Sequence, residues 1–339
     1  MVFNLNTFAV LFYSMLPQRI FDIKTPADFN LAALESFHYQ WEHNPVYRQF
    51  CEHLNIKPEA ITRPEDIPFL PIQFFKEFTI TASQKPVQTV FSSSGTTGSI
   101  TSKHHVVDLD LYEKSFRKSF KLHYGDVTNY TILALLPAYL ERTGSSLIYM
   151  VDRLIKDSRK ENSGFYLHNY KDLSEKLIAL DAAGEKILLI GVSFALLDLV
   201  EEYDFNLKHT IVMETGGMKG RRKELIREEL HAILKEGFGV DAIHSEYGMT
   251  ELLSQGYSAG NGIFTLPPWM QIYMRDTEDA LQLVEPGKTG GINVIDLANH
   301  YSCPFIATQD LGKKIDEKHF EILGRFDASD VRGCNLMVL

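Results

Sequence analysis

A short run of hydroxyl and glycine residues at positions 92–99, with the sequence SSSGTTGS, constrains this chain more than any other stretch. It follows a strand-like run at 87–91. Glycines let the backbone turn tightly and bring its N–H groups close to a ligand, and hydroxyls add further donors. The stretch therefore predicts a phosphate-binding loop, although taken alone it is also compatible with an ordinary surface loop. It is not a Walker A loop, because no Gly-Lys-Ser/Thr follows at the required spacing.

Charge and cysteine content exclude several classes of protein. A formal net charge of -10 over 339 residues argues against nucleic acid or an anionic membrane surface as the main partner. Cys51, Cys303 and Cys334 are far apart, so neither a disulfide framework nor a Cys-x-x-Cys metal site is indicated, and we expect a cytoplasmic protein. Residues 7–16 are apolar but lack the flanks of a signal peptide and the length of a membrane span, which predicts a packed helix.

The spacing of apolar residues predicts an α/β fold. The first 90 or so residues are expected to be mainly helical, and helices then alternate with buried strands. The predicted helices are 109–124, 145–155, 173–183, 194–202 and 221–236, and the predicted strands are 130–136, 186–191 and 209–213. This alternation implies right-handed crossovers and a mostly parallel sheet. In helix 221–236, the apolar residues should share one face; they are Leu225, Ile226, Leu230, Ile233 and Leu234.

A change of pattern from about residue 262 onward predicts a small antiparallel β subdomain. The apolar runs become shorter there, and we expect strands at 271–274, 291–296 and 320–323. No internal repeat or flexible linker interrupts the chain.

Three further motifs follow the glycine-rich loop in a fixed order. They are SEYGMTE at 245–251, ATQDLG at 307–312 and GRFD at 324–327. Together with the loop they resemble the core motifs of the adenylate-forming superfamily, which contains acyl- and aryl-CoA ligases, peptide-synthetase adenylation domains and luciferases. One such motif is weak evidence, whereas four in the correct order are strong. The resemblance implies the adenylate-forming fold, and ATP and Mg²⁺ as cofactors.

The resemblance also implies roles for individual residues. The loop would hold the β- and γ-phosphates through hydroxyls and amides; its residues are Ser93, Ser94, Gly95, Thr96, Thr97 and Gly98. Tyr247 would stack on adenine and Thr250 would hydrogen-bond a phosphate. Glu251 would bind Mg²⁺ as a hard oxygen ligand, and Asp310 would accept hydrogen bonds from both ribose hydroxyls. Arg325 would contact the ribose. Each residue alone could equally be a surface or capping residue.

Two positions leave alternatives open. Gly216 and Gly217 lie where the superfamily has an adenine-facing turn, but a plain strand-to-helix turn explains them almost as well. Many superfamily members have a lysine two positions after the last glycine of the loop. Ile100 stands there in this chain, and the nearest lysine, Lys103, has no assigned role.

The length of the chain favours a narrower family. A full adenylate-forming enzyme continues past the GRFD-like motif into a C-terminal lid, which is expected to be largely absent here. Short acyl-protein synthetases of the LuxE type, from bacterial luminescence fatty-acid reductase complexes, fit better. The stretches that also resemble them are FN at 29–30, FHYQ at 37–40, NPVYR at 44–48, LPAYLER at 136–142, SSL at 145–147 and RGC at 332–334. We accordingly expect a catalytic domain at 1–323, with a helical part at 1–90, and a hinge and tail at 324–339.

The resemblance makes Cys334 the candidate nucleophile for a second step. Members of the LuxE type form an acyl-adenylate and then accept the acyl group on a cysteine close to their C-terminus. Arg332 could lower the pKa of the Cys334 thiol, although a cysteine among apolar residues can also be a buried small hydrophobe. Cys51 and Cys303 are interpreted as structural.

The predicted function is that of an acyl-protein synthetase acting on a carboxylic, and in this family fatty, acid. The acyl group would pass to a partner, either an acyl-CoA or fatty-acid reductase subunit or an acyl carrier protein. Three alternatives stay open from the sequence: an acyl- or aryl-CoA ligase, a transferase to a carrier protein, and a non-catalytic nucleotide-binding subunit.

Overall fold

The computed structural model describes residues 16–93, 100–137, 144–167, 169–216, 222 and 225–326. Its α-helices are α1 (Pro26–His43), α2 (Pro45–His53), α3 (Phe74–Glu77), α4 (Leu109–Tyr124), α5 (Ser146–Ser158), α6 (Tyr170–Ala182), α7 (Ser193–Glu202) and α8 (Arg227–Phe238). Its strands are β1 (Leu70–Pro71), β2 (Thr89–Ser92), β3 (Lys103–Val106), β4 (Thr131–Leu135), β5 (Gly164–Tyr166), β6 (Ile187–Val192), β7 (Thr210–Thr215), β8 (Ile243–Tyr247), β9 (Gly256–Ser258), β10 (Ile263–Thr265), β11 (Met270–Arg275), β12 (Thr289–Asp296), β13 (Phe305–Lys314) and β14 (His319–Arg325). The α/β class predicted from the sequence is confirmed.

The chain forms two compact units. Unit 1 comprises Met1–Ser115, Thr250–Ser254 and Leu266–Leu339, and unit 2 comprises Phe116–Met249 and Gln255–Thr265. The chain therefore passes from unit 2 to unit 1 within the SEYGMTE motif, between Met249 and Thr250. This division does not test the predicted boundary at residue 323, which stays a prediction.

Unit 2 is built on a mostly parallel sheet, as the alternation of helices and strands predicted. Its strand order is β10-β9-β8-β7-β6-β4-β5. The five strands from β8 to β5 are mutually parallel, and β9 and β10 add antiparallel strands beside β8. Strands β4 and β6 are buried along their whole length, which explains their continuous apolar sequences.

Unit 1 contains the predicted antiparallel β region. Strands β11, β12, β13 and β14 pair in that order, each antiparallel to the next, and β1 pairs with β13 in parallel. Strands β2 and β3 form a separate antiparallel pair. The predicted strands at 271–274, 291–296 and 320–323 are confirmed within β11, β12 and β14.

The N-terminal helices of unit 1 begin at strong capping signals. Thr25 and Asp28 form a capping box around the start of α1, where Pro26 is the first helical residue. The Asn44 side chain accepts a hydrogen bond from the Tyr47 N–H and so caps α2. These caps fix where the aromatic residues of α1 and α2 enter the core. Phe29, Phe37 and Tyr47 are all buried, as expected for core aromatics.

The start of α8 differs from the prediction. The helix begins at Arg227, so Leu225 and Ile226 precede it. Its buried residues are Leu230, His231, Leu234 and Phe238. Ile226 and Ile233 are exposed, so the predicted apolar face at 225–234 was wrong at these two positions. The buried face instead includes His231, a polar residue.

Candidate active site

Hydrogen bonds join the two ends of the glycine-rich loop at its base. Strands β2 and β3 pair antiparallel up to the Ser92–Lys103 pair. Beyond it, the Ser93 N–H donates to the Ser102 carbonyl over 3.0 Å, and the Ser102 N–H donates to the Ser93 hydroxyl over 2.9 Å. Ser93, the first of the predicted phosphate-binding residues, therefore stands at the foot of the loop. The others, Ser94, Gly95, Thr96, Thr97 and Gly98, lie outside the described residues.

Glu251 lies beside this stem in unit 1. Its side chain is buried next to that of Ser102. Burial raises the pKa of the carboxyl, while the Ser102 side chain and the positive charges of Arg325 and Lys76 act in the opposite direction. A bound cation would favour the ionised carboxylate further. This single hard oxygen ligand suits Mg²⁺, which binds proteins through one or two carboxylates and takes its other ligands from water and phosphate.

The segment that carries Thr250 and Glu251 is fixed by residues that the sequence reasoning missed. The Asp296 carboxylate accepts hydrogen bonds from the Leu253 and Ser254 N–H groups, each over 2.9 Å, and from the Ser254 hydroxyl over 2.6 Å. The Asn299 side chain donates to the Glu251 carbonyl over 2.7 Å. Both are fully buried. The sequence does carry a signal for both residues. Asp296 and Asn299 are polar residues at and just after the end of the apolar run that forms β12.

Asp310 and Arg325, from two different predicted motifs, are brought together on β13 and β14. Their Cα atoms are antiparallel partners, and the Arg325 Nε donates to Asp310 Oδ1 over 3.1 Å. Asp310 is buried, whereas the Arg325 side chain is largely exposed. Thr308, also buried, donates its hydroxyl to the Ile292 carbonyl and accepts the Asp310 N–H. The strand backbone at Asp310 is therefore fixed from within the sheet.

Gly216 and Tyr247 lie at the carboxyl ends of two neighbouring parallel strands of unit 2. Strands β7 and β8 pair in a register that places Thr215 opposite Glu246, one residue before each of the two. Gly216 has a φ of 67°, which favours glycine, and its carbonyl accepts the Ser193 hydroxyl over 2.9 Å. Carboxyl ends of parallel strands are where α/β sheets bind ligands. Gly217 lies outside the described residues.

Tyr247 is 7% exposed, and its ring packs edge-on against Phe264 with centroids 6.2 Å apart. Gly248, the next residue, leaves room for the Glu246 carboxylate, because a Cβ at this position would collide with Glu246 Oε1. This contact explains why the motif has a glycine directly after the tyrosine.

A buried cluster of charged residues supports the same ends of β7 and β8. Glu214 pairs with the Arg227 guanidinium over 2.6 Å and lies 3.6 Å from the His231 Nε2. Burial works against ionisation of Glu214, but the hydrogen bond to His231 and the charge of Arg227 outweigh it and lower its pKa. Glu214 is therefore the ionised carboxylate of this cluster.

The two described cysteines are poor nucleophiles. Cys51 and Cys303 are both fully buried. Burial raises the pKa of Cys51 to about 12 and that of Cys303 further, which keeps both thiols protonated. Cys334, the predicted nucleophile, lies outside the described residues, as does Arg332.

An apolar void in unit 2 has a volume of about 10 Å³, and its lining includes Leu188, Ile190 and Met213. Space of this size accommodates about one water molecule, not a carboxylic acid.

Among the residues that the structure describes, no group of three or more His, Cys, Asp and Glu side chains could hold a metal ion. None of the helices described is long and apolar enough to cross a membrane.

Comparison with protein families gives a match over most of the chain. Residues 19–110 and 154–339 match the model of the family described as acyl-protein synthetase, LuxE. A long-chain-fatty-acid–luciferin-component ligase of Vibrio harveyi is 25% identical over 326 residues, which cover 89% of this chain and 84% of that protein.

Solved structures with the same fold are adenylate-forming ligases. A 2-hydroxyisobutyryl-CoA ligase in complex with 2-HIB-AMP superposes with a TM-score of 0.66 at 14% identity, over 93% of this chain and 72% of that one. ATP-bound MatB from Rhodopseudomonas palustris gives a TM-score of 0.52 at 17% identity, over 70% of this chain and 47% of its own. These similarities confirm the adenylate-forming fold predicted from the four motifs.

Proposed function

The chain belongs to the LuxE family of acyl-protein synthetases and is an AMP-forming ligase, and from this premise we propose that it joins a fatty acid to its own Cys334. In the first step, a carboxylate oxygen of the acid attacks the α-phosphorus of ATP, and pyrophosphate leaves to give acyl-AMP. In the second, the Cys334 thiolate attacks the acyl carbonyl, a thioester forms, and AMP leaves. The observation that carries the proposal is the family match, whose second segment, 154–339, includes Cys334.

The first step needs charge neutralisation, because the substrate carboxylate and the phosphates repel each other. We assign this task to the loop residues 93–98, to Thr250 and to Glu251. Mg²⁺ at the Glu251 carboxylate would supply positive charge next to the phosphates. The burial of Glu251 next to Ser102 supports this assignment, since it places the carboxylate at the foot of the loop.

Nucleotide binding is assigned to the remaining motif residues. Asp310 would accept the ribose hydroxyls, with Arg325 oriented against it at 3.1 Å. Tyr247 would stack on adenine beside the Gly216–Gly217 turn. The adjacent strand ends that carry Gly216 and Tyr247 support this part of the proposal.

The second step depends on the reactivity of one thiol. A thiolate attacks an acyl phosphate readily, and its proton passes to solvent or a nearby base before the attack. The acyl group then passes from Cys334 to a partner. The name of the Vibrio harveyi relative points to a long-chain fatty acid as substrate, and a fatty-acid reductase subunit is the partner that fits a luminescence system. Residues 1–323 would form the catalytic domain, and 324–339 the hinge and tail.

Intact-protein mass spectrometry tests the two steps together. The protein is incubated with ATP, Mg²⁺ and fatty acids of increasing chain length, and the wild type is compared with Cys334→Ser and Glu251→Gln. We expect an acyl adduct that hydroxylamine removes on the wild type only. Cys334→Ser should still release pyrophosphate, whereas Glu251→Gln should lose both reactions. Peptide mapping should leave Cys51 and Cys303 unmodified, because both are buried with raised pKa values.

Other outcomes separate the alternatives. Release of AMP without any adduct, accelerated by coenzyme A, would replace the proposal with a CoA ligase. Acyl transfer to a carrier protein without a Cys334 thioester would indicate a carrier-protein transferase. A wild-type protein that neither releases pyrophosphate nor gains mass would overturn the proposal altogether.

A further inference from the structure

His104 is a fully buried histidine that connects two parts of unit 1. It lies on β3, two residues after Ser102 at the foot of the glycine-rich loop. Its Nδ1 lies 2.9 Å from the Thr250 carbonyl oxygen, and its Nε2 lies 2.8 Å from the Ser302 hydroxyl. The strand that leaves the loop is therefore joined directly to the residue that precedes Glu251.

The two contacts define the proton positions on the ring. A carbonyl oxygen only accepts, so Nδ1 carries the hydrogen that binds Thr250. Burial lowers the pKa of His104 to about 4, so the ring is neutral and Nε2 accepts the Ser302 hydroxyl. Each ring nitrogen thus has a hydrogen-bond partner, and a single orientation of the ring provides both hydrogen bonds.

Further hydrogen bonds hold Ser302, the residue on the other side of His104 from Thr250. The Ser302 carbonyl accepts the Asn44 amide over 2.9 Å, and the His300 carbonyl accepts the Gln40 amide over 2.7 Å. Asn44 and Gln40 also hydrogen-bond to each other. Because all these groups are buried, the end of helix α1 holds the turn that orients His104.

A second feature lies beside this contact. The Glu251 carboxyl is buried next to Ser102, whose side chain lowers its pKa, and the His104 ring binds the Thr250 carbonyl. Ser102 and His104, which flank the first residue of β3, therefore lie next to consecutive residues of the motif. The start of β3 and Thr250 cannot shift independently while the His104 hydrogen bond is intact.

We propose that His104 is a positioning residue that sets the foot of the glycine-rich loop, at Ser93 and Ser102, at the correct distance from Thr250 and Glu251. The inference rests on the proposed function, in which the loop and Glu251 act on the same phosphates. A misplacement of about 1 Å in such an arrangement costs on the order of 100-fold in rate. Removal of the His104 contacts should therefore affect adenylation and its Mg²⁺ requirement more than it affects folding.

Three variants test the proposal through acid-dependent ATP–pyrophosphate exchange over a range of Mg²⁺ concentrations. His104→Leu removes both contacts, His104→Asn retains an N–H near the position of Nδ1, and Ser302→Ala removes the hydroxyl that orients the ring. His123→Leu is the matched control, because His123 has the same kind of contacts elsewhere: its Nδ1 lies 2.8 Å from the Ser119 carbonyl oxygen and its Nε2 lies 2.9 Å from the Thr265 hydroxyl. Thermal unfolding is measured for each variant.

The expected result is a fall in kcat of about tenfold or more for His104→Leu, with a higher Mg²⁺ concentration for half-maximal rate. His104→Asn should recover part of that loss, and Ser302→Ala should show a smaller effect of the same kind. His123→Leu should lower the melting temperature without changing the Mg²⁺ dependence. If His104→Leu does not fold, the other two variants decide.

Equal Mg²⁺ dependence in all variants and the wild type would overturn the proposal, since loss of packing alone would then explain any change in rate. If the wild type is active in this assay, that outcome overturns this inference and leaves the proposed function intact. A wild type without exchange activity would overturn the proposed function and this inference with it.

Discussion

Arg325 donates a hydrogen bond from Nε to Asp310 Oδ1 over 3.1 Å, so a largely exposed guanidinium orients a carboxylate whose side chain is only 10% exposed. Exposed ion pairs contribute between about 0 and 1 kcal/mol to stability. The pair is therefore better explained by the direction it gives the Asp310 carboxylate than by its contribution to folding.

Asp310→Asn should weaken ATP binding while leaving stability almost unchanged. The substitution removes the charge and one of two acceptors, and hydrogen bonds to charged groups contribute about 1.5–3 kcal/mol. We expect the KM for ATP to rise by about 10- to 100-fold, measured by ATP–pyrophosphate exchange. Asp66→Asn is the control, because Asp66 forms a comparable pair with Arg63 at 2.8 Å elsewhere in unit 1. Equal KM values for the two variants would exclude Asp310 from ATP binding.

Glu246→Gln should flatten part of the pH dependence of stability. Burial raises the pKa of Glu246 to about 7 from its ordinary 4.5; the nearby charge of Glu214 acts in the same direction, and the 2.6 Å hydrogen bond from Thr215 opposes it. The folded protein therefore holds a proton that the unfolded chain has lost between these pH values. The stability contributed by this group is present below about pH 4.5 and is lost as the pH rises through about 7.

Thermal unfolding of the wild type and Glu246→Gln from about pH 5 to about pH 8 checks this expectation. Glutamine does not titrate, so the melting temperature of the variant should rise relative to the wild type as the pH increases. Glu229→Gln, at an exposed position of α8, is the control. A difference between wild type and Glu246→Gln that stays constant with pH would contradict the prediction.

Asp296→Ala should destabilise the protein strongly. The carboxylate accepts three backbone N–H groups, those of Leu253, Ser254 and Ala298, and the Ser254 hydroxyl, and a buried donor without an acceptor costs about 1–3 kcal/mol. We expect the free energy of unfolding in urea to fall by roughly 3 kcal/mol or more. Ser254→Ala removes one donor to Asp296 and leaves the Trp269 indole N–H its second acceptor, the Ser115 hydroxyl at 3.1 Å, so it should cost less. Similar losses in the two variants would show that the backbone contacts of Asp296 contribute little.

The elements with a local pattern were predictable from the sequence. Helix α4 has the predicted bounds, Leu109–Tyr124, because its apolar residues recur at helical spacing along one continuous face. The buried strands β4 and β6 were found because a parallel sheet covered on both faces gives continuous apolar runs. The start of α8 was not found, since His231 is buried against Glu214 while Ile226 and Ile233 face solvent. Hydropathy alone does not predict a helix face on which a histidine is buried while two isoleucines are exposed.

The support of the candidate site was not predictable, because its contacts are distant in sequence. Asp296 binds backbone groups 42 and 43 residues away, and His104 binds a carbonyl 146 residues away. Motif resemblance identified Glu251, Asp310 and Arg325 as residues of interest, but it carries no information on what holds them. The buried Asn, Asp and His side chains that do so match no short motif and are recognised from the fold.

Gly312→Ala should be destabilising for a reason specific to its place on β13. A Cβ there would lie 2.6 Å from the Glu321 carbonyl oxygen and 2.7 Å from Ile292 Cδ1. The carbonyl belongs to the paired strand β14 and cannot move without disturbing the Asp310–Arg325 register. Overpacking of this kind costs about 1–3 kcal/mol, which a shift of the urea midpoint at unchanged slope would report.

Gly164→Ala is the matched control, because a Cβ on that strand glycine would meet no atom within 4 Å. We expect the control to retain wild-type stability, and Gly312→Ala to raise the KM for ATP through its effect on Asp310. A Gly312→Ala protein as stable as Gly164→Ala would show that β14 adjusts freely, and the close packing at Asp310 would then not explain the glycine.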